Sequence, residues 1–459
     1  MRSRNLPIGL LGVLLGLACG PSTPADPGDT DTSSGSGPST GGTLTPGTEG
    51  PPPEPTTGDT EPTPGDTDPP PDGCPQGQAP FTQRWSSLLT PPLDPAFAEL
   101  DYHGDIVTMA DGRIALSLMA RDVEAGTDGP AVVFTSPEGK FLGLHMGQLT
   151  PQPQGDDLRL VGMRRTADDE LVQAGARYWQ EGEEQQMSSW VARFAGDGTF
   201  LGQTDVTGPT TDEAKLGLLD APLLLGLDVP AREMRAFKLK PGSAELAWTL
   251  SLAAFDPDIP AIHGEALAVA SSDDGTALLA YGTWDDVWSL HLVAVDGDGS
   301  PIWVHTLEVP WKPLDAVAIP GGWVVMTHDF VEGFAHLWAF SATGASTWDL
   351  ELTTQNGEGR PIVRNMHVTG DHLTIPVLRT PEDNPNAPTT GRTVAAHRVS
   401  LAGEAIDVTP LPGAAELAGA TQFASAVGKC DELIVLSFGG WSAPDPTQGL
   451  EVQLSGWAQ

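Results

Sequence analysis

Apolar and polar residues alternate along most of the chain after residue 80, and the alternation is organised into a repeated unit. Each unit has an apolar strand, a short polar turn that ends in glycine, and a second strand that begins near a tryptophan. Such alternation is typical of half-buried β-strands. The best copies span residues 132–139, 292–299 and 337–344. Weaker copies span residues 193–198, 237–242 and 397–403.

A second hairpin precedes these units, and its turn carries Asp-Gly or Gly-Gly between two apolar strands. Examples lie at 111–112, 274–275 and 321–322. These dipeptides are strong hairpin signals because they adopt the positive φ that tight turns need. Each unit therefore divides into four strands, a to d, with a longer polar loop predicted between strands b and c.

The units recur at a spacing of roughly 45 to 59 residues, within or just above the range of known repeat architectures. Residues 82–89 look like a strand d alone, whereas residues 423–454 supply strands a, b and c without a strand d. Sharing one blade between the two chain ends would remove exposed sheet edges. We therefore predict an all-β fold, a seven-bladed β-propeller of four-stranded antiparallel blades, closed by an N-terminal strand that joins the last blade.

Tryptophans recur at the start of strand d, at Trp85, Trp248, Trp303 and Trp348. We interpret them as packing anchors between blades rather than as binding residues. The strand pattern and the Asp-Gly-x-x-x-Trp turn, best preserved at 296–303, are similar to quinoprotein-like (PQQ-like) β-propeller repeats. The resemblance covers most of residues 80–459 at the level of single repeats. Two blades carry glycine and one carries Asp407 in the tryptophan position.

We expect apolar residues of strands a and b to form the core between blades, among them Val107, Ile114, Leu116, Val324, Val325 and Val435.

The N-terminus has Arg2 and Arg4, an apolar run over residues 6–18, and then Cys19. This order is typical of an export signal that is too short to span a bilayer. With its cysteine, it resembles a bacterial lipoprotein signal, which implies cleavage after residue 18 and lipidation of Cys19. Gly16 departs from that pattern, and an ordinary secretory peptide is the alternative. Gly20 implies sorting to the outer membrane, facing the periplasm or the cell surface.

Residues 19–73 are rich in Pro, Gly, Thr, Ser and Asp and have almost no apolar side chains. Such a composition cannot bury enough surface to fold, so we expect a disordered tether between the anchor and a β-propeller domain at 74–459. Similar tethers occur in secreted lipoproteins of the myxobacterial type. Asp-Thr pairs in this segment lack the spacing of an EF-hand calcium loop.

The net charge of −38 excludes nucleic acid as a partner and favours a soluble, exported protein. We expect a monomer that meets the membrane only through its lipid. Besides Cys19, the chain contains only Cys74 and Cys430, one at each end of the predicted ring. An even pair in an oxidising compartment indicates a disulfide, and this one would join the chain ends at the closing blade.

Polar side chains cluster where the strands a are predicted to begin, at the mouth of the central channel. Imidazoles and carboxylates there could hold a metal ion, calcium first, or act as acid and base. The alternative is that they are solvated or cap the ring. We assign as candidate binding residues His103, Asp105, Asp157, His263, Glu265 and Arg360.

Aromatic residues lie beside acidic residues in the predicted b–c loops. They include Trp284 and Trp288 around 285–286, Tyr178 and Trp179 near Glu181, and Trp441. Exposed aromatic rings with polar neighbours suit carbohydrate or protein recognition, but they could equally cover the ends of the blades.

Enzyme motifs are absent from the predicted folded region. The one Gly-x-Ser-x-Gly match, at 37–41, falls in the tether, and neither HExxH nor a phosphate-binding loop occurs. We therefore predict a non-catalytic binding or scaffold module for a protein, a glycan or an envelope component, with no cofactor. The alternative is a metal-assisted hydrolase or lyase that uses His103 and His263.

Overall fold

The computed structural model describes part of the chain, and all of that part belongs to one compact unit, Pro69–Gln459. The described residues are 79–89, 99–101, 105–122, 127–148, 150–151, 157–181, 184–206, 211–228, 233–243, 245–254, 262–285, 287–309, 311–328, 335–352, 361–363, 365–379, 393–412, 420–439 and 452–459. The predicted signal at 1–18, Cys19 and the tether at 19–73 lie outside them.

The described residues form β-strands and a single 3-10 turn, Leu252–Ala254. No helix within them is long and apolar enough to cross a bilayer. The strands are β1 (Gln83–Leu89), β2 (Glu99–Asp101), β3 (Ile106–Thr108), β4 (Ile114–Asp122), β5 (Thr127–Thr135), β6 (Phe141–Met146), β7 (Thr150–Pro151), β8 (Asp157–Arg165), β9 (Leu171–Glu181), β10 (Glu184–Phe194), β11 (Phe200–Asp205), β12 (Thr211–Leu218), β13 (Pro222–Asp228), β14 (Glu233–Leu239), β15 (Leu246–Ser251), β16 (Ile262–Ser271), β17 (Ala277–Asp285), β18 (Val287–Val295), β19 (Pro301–Glu308), β20 (Lys312–Ile319), β21 (Gly322–His328), β22 (Ala335–Ser341), β23 (Ser346–Leu352), β24 (Pro361–Val363), β25 (His367–Thr369), β26 (His372–Arg379), β27 (Thr393–Ser400), β28 (Ala405–Leu411), β29 (Ala420–Val427), β30 (Leu433–Gly439) and β31 (Val452–Trp457).

These strands form seven antiparallel sheets, which we number as blades 1 to 7. Blades 2 to 5 are the four-stranded meanders β8–β11, β12–β15, β16–β19 and β20–β23. Blades 1 (β2–β7) and 6 (β24–β28) have a divided inner strand, because β2 and β3 both pair with β4, and β24 and β25 both pair with β26. Blade 7 has the order β1-β31-β30-β29 and so combines the two ends of the folded region.

Strand β1 closes blade 7 by antiparallel pairing with β31. Trp85 lies opposite Gly456, and Ser86 lies opposite Ser455. The Ser455 hydroxyl donates a hydrogen bond to Ser86 Oγ at 3.0 Å. The predicted sharing of one blade by the chain ends is therefore confirmed.

The buried apolar side chains form seven clusters among the described residues, and each lies between two neighbouring blades. The cluster between blades 7 and 1 includes Leu436 and Leu454 together with Leu116 and Val133. Every blade thus packs against both of its neighbours, and the seven sheets form a closed ring. The chain is a seven-bladed β-propeller.

Five of the six predicted core residues are buried: Ile114, Leu116, Val324, Val325 and Val435. Val107 is only half-buried, because it faces the central channel. Val107 nevertheless packs against the buried cluster between blades 1 and 2, as predicted, and is less buried than the other five because it also borders the channel.

The tryptophans of strand d connect successive blades, as predicted. The indole N–H groups of three of them, Trp248, Trp303 and Trp348, each donate to a carbonyl oxygen in the c–d turn of the next blade at 2.9 Å, and each ring covers the glycine of that turn. A Cβ added to Gly299, Gly344 or Gly403 would come within 2.6 to 2.8 Å of the ring. The donor and acceptor pairs are Trp248 and Gly297, Trp303 and Ala342, and Trp348 and Leu401.

Other side chains make this contact where the strand d has no tryptophan. The His145 ring of blade 1 lies against Gly198 in the c–d turn of blade 2. Arg193 of blade 2 donates to the carbonyl oxygen of Gly242 in blade 3 at 3.2 Å. His145 therefore replaces tryptophan on strand d of blade 1, whereas in blade 2 the contact with the next c–d turn comes from Arg193 on strand c.

Cys430 lies in the turn between β29 and β30 of the closing blade, as predicted. It is disulfide-bonded. Cys74 lies outside the described residues, so the pairing of Cys74 with Cys430 stays a prediction.

Candidate channel site

The inner strands of the seven blades surround a central cavity of about 820 Å³. Each blade contributes to its wall, through β3, β8, β12, β16, β20, β25 and β29. The cavity extends to the a–b turns, where Asp273 and Gly321 line it. A ring of parallel inner strands thus produces a channel whose wall contains side chains from residues far apart in sequence.

Asp105 is the one predicted site residue whose side chain the structure places in this channel. Asp157 begins β8, and His263 and Glu265 lie in β16, although their side chains are not described. His103 and Arg360 lie outside the described residues altogether. The grouping of these residues around one mouth therefore stays a prediction.

Asp105 binds the neighbouring blade through one carboxylate oxygen. Its Oδ2 accepts the Met163 backbone N–H at 2.8 Å and the Arg164 Nη1 at 3.0 Å. Arg164 Nη1 also donates to the Met163 carbonyl at 2.8 Å. Gly162 allows this approach, because a Cβ there would lie 2.9 Å from Asp105 Oδ2. The Asp105–Arg164 pair therefore fixes two charges on the channel wall.

Asp315 repeats this arrangement between blades 5 and 6. Its Oδ2 accepts the Met366 backbone N–H at 2.8 Å. Burial raises the pKa of the Asp315 carboxyl to about 6, although the Met366 N–H and the charges of Lys215 and Arg164 act in the opposite direction. Loss of hydration outweighs the favourable contacts here, because the charged form is the one that burial disfavours.

His367 lies between blades 6 and 7 on the same wall. Its Nε2 shares a hydrogen bond of 2.7 Å with Ser425 Oγ. Burial lowers the pKa of His367 to about 4, because loss of hydration penalises the imidazolium. The ring is therefore neutral near pH 7 and links the two blades as a hydrogen-bonding group.

Sequence reasoning missed Arg164, Asp315 and His367. Asp315 interrupts an apolar stretch of its inner strand, residues 314–319, which reads LeuAspAlaValAlaIle, whereas Arg164 lies in a strand with several other charged residues and His367 begins the short β25. A charged residue inside an apolar inner strand was the available signal. It could not show which of the seven strands would bring such residues together.

The aromatic residues assigned to b–c loops lie in strands instead. Trp284 in β17 pairs directly with Trp288 in β18, and a single residue separates the two strands. Tyr178 lies within β9 and is 7% exposed. The prediction of long b–c loops was therefore wrong for blades 2 and 4, because strand alternation continues through the aromatic segment. The side chains of Trp284 and Trp288 are not described, so their binding role stays a prediction.

Within the described ranges, no group of three or more His, Cys, Asp or Glu side chains is placed to hold a metal ion. Calcium at the mouth of the channel stays a prediction, since most of the residues proposed to bind it are not described.

No known protein family and no curated protein matches the chain. Solved structures resemble it at low identity. A protein of unknown function from Dyadobacter fermentans is 12% identical with a TM-score of 0.47, covering 82% of this chain and 99% of that one. A Lactobacillus plantarum protein is 14% identical with a TM-score of 0.45, covering 72% and 89%. The β-propeller domain of the Pyrococcus furiosus Trilobed protease, described as having an open velcro topology, is 9% identical with a TM-score of 0.43, covering 77% and 95%.

Proposed function

We propose that this chain is an exported, lipid-anchored β-propeller that binds an envelope component, a glycan or a protein without transforming it, and that the central channel is its binding site. The observation that carries the proposal is the preformed cavity of about 820 Å³ with charged side chains fixed on its wall. Small-molecule sites typically enclose roughly 300 to 1,000 Å³. A rigid ring also lowers the entropy cost of binding, since the site is formed in advance.

The state of the channel side chains favours binding over catalysis. Effective acid–base catalysis requires a pKa near the working pH. The pKa of His367, about 4, removes this imidazole from proton exchange near pH 7. Asp105 Oδ2 and Asp315 Oδ2 each accept a backbone N–H from the next blade. The pKa of Asp315, about 6, lies near the working pH, but its Oδ2 is engaged with the next blade, so we assign both carboxylates to holding the ring together and presenting charge to a ligand.

Three features support export and anchoring. The signal-like residues 1–18 precede Cys19, and residues 19–73 have the composition of a tether. The disulfide of Cys430 favours an oxidising compartment. In this proposal Cys74 is the partner of Cys430, Cys19 carries lipid, and the protein is a monomer at the outer membrane.

Anchoring is tested by expressing the full chain and its Cys19→Ser variant in a Gram-negative host. We expect the wild-type protein in the membrane fraction, with acyl chains on Cys19 by mass spectrometry, and the variant in the soluble periplasmic fraction. An unmodified Cys19 in the wild-type protein, or equal partition of the two proteins, would rule out the anchor.

Binding is tested with the Cys19→Ser protein against defined peptidoglycan fragments, envelope glycans and periplasmic solutes. The readouts are the thermal midpoint and the mass of the recovered ligand. We expect at least one ligand to raise the midpoint and to be recovered unchanged. Arg164→Gln should lose the effect, whereas Lys240→Gln should keep it, because the Lys240–Glu245 ion pair is exposed. Recovery of a converted product would contradict a non-catalytic role.

A further inference from the structure

Opposite charges face the central cavity from different blades. Asp315 lies on blade 5, Arg164 lies on blade 2, and both line the cavity. Burial raises the pKa of Asp315, and the positive charges of Lys215 and then of Arg164 act against that rise, so the charge of Arg164 reaches Asp315 from across the channel. Among the described side chains Arg164 forms its ion pair with Asp105, and none joins Arg164 to Asp315. A gap therefore separates a cation and an anion that face the same space.

Both groups retain unused capacity for hydrogen bonds. Arg164 makes its described side-chain bonds through Nη1, and its side chain is 39% exposed. Its Nε and Nη2 therefore carry N–H groups with no partner among the described residues. Asp315 uses Oδ2 for the Met366 N–H. Its carboxylate can accept further hydrogen bonds, because an ionised carboxylate has about four acceptor positions.

Nine of the 27 residues that line the cavity are Gly, Ala or Ser. They include Gly217, Ala270, Ala316, Ala318 and Ala426. Small side chains leave the centre of the channel open, and the cavity of about 820 Å³ can accept a solute of many heavy atoms. The positions of Arg164 and Asp315 therefore offer two fixed points of contact for a charged solute in this space.

We propose that the channel binds a small zwitterion, with its ammonium group at Asp315 and its carboxylate or phosphate group at Arg164. This inference rests on the proposed function and names its ligand class. Amino acids, short peptides and phosphoethanolamine share the required chemistry. A partly desolvated charge is costly unless an opposite charge meets it. A zwitterion can contact both groups at once, through the Arg164 N–H groups that Asp105 does not use and through the Asp315 carboxylate, whereas a singly charged solute can contact only one of them. A guanidinium accommodates carboxylate and phosphate alike through paired N–H donors.

Isothermal titration calorimetry of the Cys19→Ser protein tests this class of ligand. The probes are β-alanine, γ-aminobutyrate and glycylglycine, which separate the two charges by increasing distances, and O-phosphoethanolamine. Propionate and propylamine are the single-charge controls. We expect one or more zwitterions to bind at least about tenfold more tightly than either control, because a charged hydrogen-bonded contact contributes that much or more. A preference for glycylglycine over O-phosphoethanolamine would indicate a peptide source, and the reverse a lipid headgroup.

Channel variants locate the site. Asp315→Asn keeps the size of the side chain and an oxygen that can accept the Met366 N–H. It should weaken zwitterion binding at least about tenfold and leave propionate binding unchanged. Arg164→Gln should weaken both, and Lys240→Gln should weaken neither. Thermal unfolding of each variant shows whether it folds. If Arg164→Gln does not fold, the affinity of Asp315→Asn for the zwitterions tests the proposal by itself.

The proposal is overturned if no zwitterion binds saturably, if propionate or propylamine binds as tightly as the zwitterions, or if Asp315→Asn retains full affinity. In each of these cases the wider proposed function stands as long as another envelope component binds in the channel and is recovered unchanged. The zwitterion assignment and the binding function can therefore fail separately.

Discussion

Replacing Asp315 by asparagine should reveal a pH dependence of stability that the wild-type channel conceals. Two buried groups on this wall have pKa values shifted in opposite directions. Burial raises the pKa of Asp315 from 3.8 to about 6 and lowers that of His367 from 6.5 to about 4. Their effects on the free energy of unfolding therefore have opposite signs over the same pH range.

The sign of each effect follows from which state binds more protons. Between about pH 4 and pH 6 the folded protein keeps a proton on Asp315 that the unfolded chain has lost, so its contribution to stability falls as the pH rises. Between about pH 4 and pH 6.5 the unfolded chain protonates His367 and the folded protein does not. The His367 contribution to stability therefore rises with pH.

The two magnitudes are nearly equal. From the pKa values of Asp315 and His367, each group changes the free energy of unfolding by about 2 kcal/mol between roughly pH 4.5 and pH 6.5. Together they almost cancel in the wild-type protein. Asp315→Asn leaves the His367 effect alone, and its stability should rise by about 2 kcal/mol over this range. His367→Gln should show a fall of similar size.

Urea unfolding followed by tryptophan fluorescence at intervals across this pH range provides the measurement. The slopes of unfolding free energy against pH for the two variants, each taken relative to the wild-type protein, are the quantities to compare. Lys240→Gln is the control, because its ion pair with Glu245 is exposed. If the slope for each variant equals the wild-type slope, or if both slopes shift in the same direction, burial does not shift the pKa values of Asp315 and His367 in opposite directions.

Three further predictions concern the contacts between blades and the closing blade. In urea titrations, Gly344→Ala should lower the free energy of unfolding by about 1 kcal/mol or more in addition to the decrease that Gly321→Ala causes. Both glycines have positive φ, but only at Gly344 would a Cβ meet the Trp303 ring, at 2.8 Å. Trp348→Phe should cost about 1 kcal/mol or more, since it removes the indole donor, and thermal melts should show it. Cys430→Ser should cost about 4 kcal/mol in oxidised protein and nothing in reduced protein, as unfolding with and without reductant will show.

The fold was predictable because its signals are local. Turn glycines at 112, 275, 299 and 344 have positive φ, which glycine adopts without strain, and they punctuate the strands at each blade. The tryptophans of strand d follow at a fixed distance and contact the next blade. The incomplete units at the two ends then required a shared blade, and β1 paired with β31 as expected.

Other features of the blades could not be obtained from the pattern alone. The inner strands of blades 1 and 6 are each divided in two, which alternation does not signal. The segment around Trp284 and Trp288 was assigned to a loop because it is polar and aromatic, yet it forms a tight hairpin. Aromatic residues have high β propensity, and here that propensity outweighed the local charge.

The channel site was only partly predictable. Asp105 could be placed because it begins an inner strand, and every inner strand borders the channel. Arg164 and Asp315 line the same channel from blades that are not neighbours, so their placement depends on ring closure and on the register of each strand. The burial that shifts the pKa values of Asp315 and His367 arises from the same assembly, which no local pattern encodes.

Closure of the ring by β1 can be tested with a designed crosslink between β1 and β31. Ser86 and Ser455 face each other across β1 and β31, with their hydroxyl oxygens 3.0 Å apart although 369 residues separate them in sequence. The account predicts that Ser86→Cys with Ser455→Cys forms an intramolecular disulfide under mild oxidation, and that Ser87→Cys with Ser455→Cys does not. Peptide mapping of the monomer reads out the link. Absence of the Ser86–Ser455 link in folded protein, or equal linking in both pairs, would contradict it.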